Sequence, residues 1–213
     1  MGSGVVLAAI HEALVSAAVT FSILSPLPRP GAEGERYSPL FTALAGENTD
    51  AHRDAEAAAG AADYPLAIEL IYEGYLLHYR RSRVASPGGG DASRLLAGDY
   101  LYARGLRVVA AAGDVDSVRL LTRLMAVCSY LRTEGADFAC DDDVWAFTVA
   151  ALAALRLGCP VARPEATFSA VEGAIVDGEL ERVPGLLREG AAALALRDAR
   201  PLEAHLRGFR AAA

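Results

Sequence analysis

The chain has 213 residues, a net charge of −7, and 53% hydrophobic against 22% charged positions, long enough for one sizeable core without disulfide or metal support. All 20 basic residues are arginine, which excludes within this chain a P-loop lysine, a Schiff-base nucleophile and a pyridoxal-phosphate anchor. The arginines are spread along an acidic sequence, so no basic stripe points to nucleic acid.

The aromatic share is only 7%, and alanine supplies much of the apolar content, which favours close helix packing over a strand-rich core. In chain order, a first helix is expected from about Val5 to Leu24, ending at the Pro26, Pro28, Pro30 segment. His11 and Glu12 sit inside it; a carboxylate at that depth costs about 2.5–3.5 kcal/mol on insertion into a bilayer, so we expect a core helix and no transmembrane span. No basic region precedes it, so a signal peptide is not expected. Residues 25–35 read as a Pro/Gly-rich linker. Short helices follow at about Tyr37–Ala45 and Thr49–Ala59. Asp63 reads as an N-cap with Pro65 in the first turn, opening a long helix to about Val84. Residues 86–90 read as a flexible loop. Asp91 or Ser93 caps a helix to about Ala112; Gly113 ends it, and Asp114 caps the next, to about Thr133. Asp141–Asp143 open a helix through Leu157, and helices at about Pro164–Val176, Leu180–Leu196 (broken near Pro184-Gly185) and Pro201–Phe209 complete the chain. The expected architecture is a single all-α domain over residues 1–213.

Few residues announce chemistry. Three consecutive carboxylates, Asp141-Asp142-Asp143, point about 100° apart on a helix and do not converge on one Mg²⁺; at a helix start they oppose the positive end of the dipole. Cys128, Cys140 and Cys159 lack metal-ligand spacing and read as buried thiols in a reducing, cytoplasmic setting. His78 follows Leu76-Leu77 and reads first as a core residue, second as an acid/base group. Arg80, Arg81 and Arg83, at a helix end, read first as cations suited to the dipole there and second as groups that grip a diphosphate or a partner's carboxylates.

Three segments carry a resemblance. Ala67-Ile68-Glu69-Leu70-Ile71-Tyr72-Glu73-Gly74-Tyr75-Leu76-Leu77-His78 is similar to the trans-isoprenyl diphosphate synthase helix A-x-E-L-I-H-x-x-x-L-L-H that precedes D-D-x-x-D. Leu96-Ala97-Gly98-Asp99-Tyr100-Leu101 resembles that family's L-A-G-D-[YF]-L. Gly34-Glu35-Arg36-Tyr37-Ser38-Pro39-Leu40 resembles its G-K-R-x-R-P-x-L. Order and gaps fit as well, and the resemblance spans about residues 30–158.

The departures shape what the resemblance implies. Tyr79-Arg80-Arg81-Ser82-Arg83 stands where the first Mg²⁺-binding aspartates would be, and arginines there repel a metal that prenyl transfer needs to neutralise the leaving diphosphate. Glu35 and Ser38 replace a lysine and an arginine of the isopentenyl-diphosphate motif, leaving Arg36. The second D-D-x-x-D has no counterpart. The resemblance therefore implies a truncated, isoprenoid-synthase-like antiparallel helical bundle. Its implied role is that of a non-catalytic subunit of a heteromeric prenyl diphosphate synthase, similar to component I of heptaprenyl or hexaprenyl synthases. Mg²⁺ then belongs only to a catalytic partner subunit, and a homodimer is the other assembly implied. On this reading Asp99, Tyr100 and Tyr102 lie at the subunit interface. Gly74 and Tyr75 line the product tunnel, although ordinary aromatic packing is the favoured account of Tyr75. Arg36, His78, Arg80, Arg81 and Arg83 face a diphosphate or a partner. Two alternatives remain open: a stand-alone isoprenoid-binding or structural helical protein, and a metal-independent enzyme in which Arg80, Arg81 and Arg83 hold a diphosphate with His78 or Glu73 as acid/base.

Overall fold

The computed structural model describes residues 6–12, 25–26, 34–47, 63–86, 90–159 and 164–203. They are predominantly helical: residues 6–12, then α1 (Ser38–Glu47), α2 (Asp63–Tyr79), α3 (Gly90–Ala111), α4 (Val115–Thr133), α5 (Phe138–Arg156), α6 (Pro164–Val176) and α7 (Val183–Ala193), the last preceded by a 3₁₀ turn at Leu180–Arg182. Two short extended segments, β1 (Ser25–Pro26) and β2 (Ala85–Ser86), pair antiparallel with Ser25 opposite Ser86. No described helix is long and apolar enough to cross a membrane. The expected helix at Thr49–Ala59, and most of those at Val5–Leu24 and Pro201–Phe209, lie outside the described residues.

The chain divides into two compact units, residues 1–38 with 62–113, and residues 39–61 with 114–213. In the first, α2 and α3 form an antiparallel hairpin. The helices meet at glycines. A Cβ on Gly98 would lie 2.1 Å from His78 Cδ2, one on Gly105 2.6 Å from Ile71, and one on Gly74 2.8 Å from Tyr102. Removing side chains from these positions lets the backbones approach as no larger residue permits. Leu70, Leu77, Ala97 and Leu101 of this hairpin share a buried apolar cluster with Leu7 and Ile10 of the first helical segment.

In the second unit, α5 is apolar on nearly every side, with Val144, Trp145, Phe147, Val149 and Leu152 buried. A helix of that pattern has to be enclosed by its neighbours. The two buried aromatics Phe147 and Phe168 meet edge to face at 5.6 Å, joining α5 to α6. Arg123 of α4 forks onto Glu172 of α6 (2.7 and 3.1 Å) and donates to Ser169 Oγ and the Glu165 carbonyl.

Several boundaries differ from the sequence expectation, for identifiable reasons. Helix α2 stops at Tyr79, not Val84, because residues 80–83 turn back and place Arg83 against α2 itself. Helix α5 begins at Phe138, where Asp137 caps Ala139 N–H; the acidic run is therefore already inside the helix, and Asp141 pairs with Arg132 at 2.8 Å. The expected break near Pro184-Gly185 falls between the 3₁₀ turn at Leu180–Arg182 and α7, which starts at Val183 and carries Pro184 in its first turn, where its missing N–H leaves nothing unsatisfied. The left-handed Gly113 after α3 and the cap at Asp114, which accepts from Ser117 N–H, stand where the sequence put them, and a further left-handed glycine, Gly135, follows α4.

Candidate functional site

Helix α2 carries two carboxylates four residues apart, Glu69 and Glu73, on a stretch that is otherwise apolar. The spacing stacks both on one face. Each is fully buried, at 0% exposure. A buried carboxylate is tolerated only when paired and hydrogen-bonded, and here both conditions hold. Glu69 Oε1 accepts the backbone N–H groups of Arg36, Tyr37 and Ser38 at 2.9, 2.6 and 2.9 Å. Glu73 Oε1 accepts from the Ser82 hydroxyl at 2.5 Å and from Arg83 N–H at 2.8 Å.

The Arg83 guanidinium closes the cluster. Its Nε donates to Glu73 Oε2 at 2.9 Å, its Nη2 lies 2.9 Å from Glu69 Oε2, and its Nη1 donates to the Gly34 carbonyl at 3.1 Å. It stands 4.9 Å from the Tyr72 ring centroid. Burial works against its charge, but the two carboxylates and their hydrogen bonds outweigh it and hold the guanidinium above its ordinary pKa. Ser82 Oγ also accepts from Val84 and Ala85 N–H, which fixes the return of the chain after α2.

Beside it, Glu35 accepts from Val6 N–H (3.0 Å) with one oxygen and from the Ser38 hydroxyl (3.1 Å) with the other. Thus Glu35 and Ser38, which replace two cations of the family motif, bond to each other. Arg36 is half-buried with its guanidinium 5.6 Å from the Tyr37 ring and 5.9 Å from Tyr72. The tyrosines line up along α2: Tyr72 stacks on Tyr75 (5.9 Å, 15°), Tyr75 meets Tyr79 (5.4 Å), and Tyr37 meets Tyr72 edge-on (4.9 Å).

The expected site residues therefore separate. Arg36 and Arg83 both lie against Tyr72. Arg83 is interior, whereas Arg81 is exposed and Arg80 is half-buried, 5.7 Å from the Tyr75 ring. The three arginines form no common grip. His78 is half-buried, stacked on Tyr102 at 5.1 Å, with Nε2 3.2 Å from Asp99. Burial depresses its pKa below the ordinary 6.5; Asp99 pulls the other way, and Arg94 adds to the depression. Gly74, expected on a tunnel wall, is instead a contact point with α3, and Tyr75 is a buried member of the aromatic row. Of the three expected interface residues, Tyr100 is half-buried and accepts from Arg104 at 2.9 Å, Tyr102 covers His78, and Asp99 stays exposed beside it. Leu95 and Leu96, at the same end of α3, are 45% and 56% exposed.

Sequence reasoning passed over Glu69 as a centre of the site and gave Glu73 only an acid/base role. The signal was there: two acids at helical spacing in an apolar helix require buried cationic and N–H partners. Of the three cysteines, only Cys128 is fully buried; Cys140 and Cys159 are half-buried, and all three are free thiols. Burial and the carboxylates of Asp141, Asp143 and Asp137 push the Cys140 thiol up, away from reactivity. Among the described residues, no three His, Cys, Asp or Glu side chains are grouped to hold a metal ion. Set against known proteins, the chain matches no family model, no curated protein and no solved structure.

Proposed function

We propose that this chain is a non-catalytic subunit of a heteromeric trans-prenyl diphosphate synthase, built on a truncated isoprenoid-synthase-like helical bundle and working beside a catalytic subunit that holds the Mg²⁺. One observation carries the reading. The two segments where the resembled family keeps its substrate and metal groups, residues 34–38 and 79–83, here converge on Glu69 and Glu73 as one internal hydrogen-bonded cluster. The position of a diphosphate-binding lysine is a carboxylate engaged with Ser38 and Val6 N–H. Arg83 is held between two carboxylates. A guanidinium already paired twice inside the protein makes a poor diphosphate ligand, so the alternative in which Arg80, Arg81 and Arg83 jointly bind a substrate is disfavoured. The scaffold positions are kept for packing and the chemistry is left to a partner, with Leu95, Leu96 and Asp99 of α3 as the contact surface.

The test is affinity purification of the tagged chain from its native host, with mass spectrometry. The expected result is stoichiometric recovery of a prenyl diphosphate synthase subunit that carries both aspartate-rich motifs, and its loss when Leu95 and Leu96 are changed to Asp. Recovery of the chain alone, under conditions where such a subunit is expressed, overturns the reading.

A further inference from the structure

A cavity of about 490 Å³ lies within the second unit. Phe147 of α5, Leu187 and Ala191 of α7, and Ala199 and Leu202 beyond α7 form its walls. Phe147 and Leu202 are nearly fully buried, while Ala191 and Ala199 contribute only methyl groups to the walls. Three charged side chains border it: Arg188 and Glu203 are exposed and Asp143 is half-buried, while the other lining side chains are apolar.

We infer that this cavity is a binding site for an uncharged apolar small molecule. Its volume falls in the range of small-molecule sites, about 300–1,000 Å³, which are mostly apolar with a few polar groups at the edge. Water inside such walls finds few hydrogen-bond partners, so an apolar occupant that displaces it gains free energy. A charged ligand is disfavoured, because it would leave bulk water for largely apolar walls. The mixed signs on its border, one cation and two anions, favour neither an anion nor a cation strongly and suit a neutral molecule. This inference stands apart from the proposed subunit role and does not depend on it.

The experiment uses the full chain and the neutral fluorophore N-phenyl-1-naphthylamine. The expected result is saturable one-to-one binding with a blue-shifted emission and a negative heat-capacity change. Ala191→Trp and Ala199→Trp fill the cavity from two walls, and each is expected to weaken binding at least tenfold without lowering helicity; where a tryptophan variant fails to fold, Ala191→Leu and Ala199→Leu take its place. Val115→Asp, at the exposed start of α4 and outside the cavity walls, is expected to leave binding unchanged. Non-saturable binding, or binding that survives both filling variants, overturns the inference. So does probe release that tracks dimer formation in sedimentation, which would assign the cavity to a second copy of the chain.

Discussion

Helices α2 and α5 are both buried along most of their length, yet they are held in opposite ways. From Val144 onward helix α5 is enclosed by carbon, its buried carboxylates Asp141 and Asp142 being confined to its N-terminal end where Asp141 meets Arg132, and its single buried hydroxyl, Thr148, donates back to the Val144 carbonyl of its own turn. Helix α2 carries two buried carboxylates that are satisfied by groups brought from elsewhere: the N–H groups of residues 36–38 and 83, one hydroxyl and one guanidinium. Apolar enclosure tolerates changes that keep volume. A buried ionic cluster tolerates very little, since losing one partner strands the others. The segments at residues 34–38 and 79–83 are thus tied to α2 by hydrogen bonds to two buried carboxylates and by one guanidinium, not by apolar packing alone.

The sharpest way to break this contrast is Arg83→Leu. It leaves Glu69 and Glu73 buried without their cation and is expected to cost about 3–5 kcal/mol in urea unfolding. Adding Glu73→Gln removes one stranded charge while keeping an acceptor for Ser82 and Arg83 N–H, so the double variant is expected to be more stable than Arg83→Leu alone. A double variant no better than the single one would show that charge is not what holds the cluster.

A smaller effect is expected at the α2–α3 contact. Gly98→Ala drives a methyl into the His78 ring, displacing it from Tyr102 and Asp99, at about 1–3 kcal/mol. Thermal melts of Gly98→Ala with and without His78→Ala measure how much of that is the ring. In α5, Thr148→Val is expected to change stability by less than about 1 kcal/mol, because the hydroxyl serves a carbonyl already within the helix ladder. A loss comparable to that of Arg83→Leu would erase the contrast between the two helices.

The smallest effect concerns pH. The folded protein holds His78 below its ordinary pKa of 6.5, so the unfolded chain takes up its proton first as pH falls. The unfolded state then binds more protons, and stability rises with pH in that window: His78's contribution is intact above about pH 6.5 and declines below it. Asp99→Asn removes the group that opposes this depression, so the decline is expected to deepen; His78→Gln is expected to flatten it. Urea midpoints between pH 5 and 8 check both signs.

Much of the helical frame was legible in the sequence, because caps and breakers act locally. Gly113 and Asp114 mark the end of α3 and the start of α4 where they stand. The end of α2 was not legible, since Val84 continues the apolar pattern while Arg83 turns back to reach Glu69 and Glu73. The start of α5 was misplaced because Asp137, four residues ahead of the acidic run, is the cap. The arginine run was visible as a feature, but its division into an interior Arg83 and an exposed Arg81 was not. That division depends on Gly34, 49 residues away in sequence, supplying a carbonyl. Glu69 and Glu73 were the readable trace of the cluster: acids in an apolar helix imply partners without saying which.

The proposal that this chain serves a prenyl diphosphate synthase without chemistry of its own makes a direct prediction. Product formation from an allylic diphosphate, isopentenyl diphosphate and Mg²⁺ tests it most directly, measured for this chain alone, for a catalytic subunit alone and for the two together. The account predicts no product from this chain alone and a change in yield or chain length when it joins the catalytic subunit. Prenyl diphosphate made by this chain alone would contradict it.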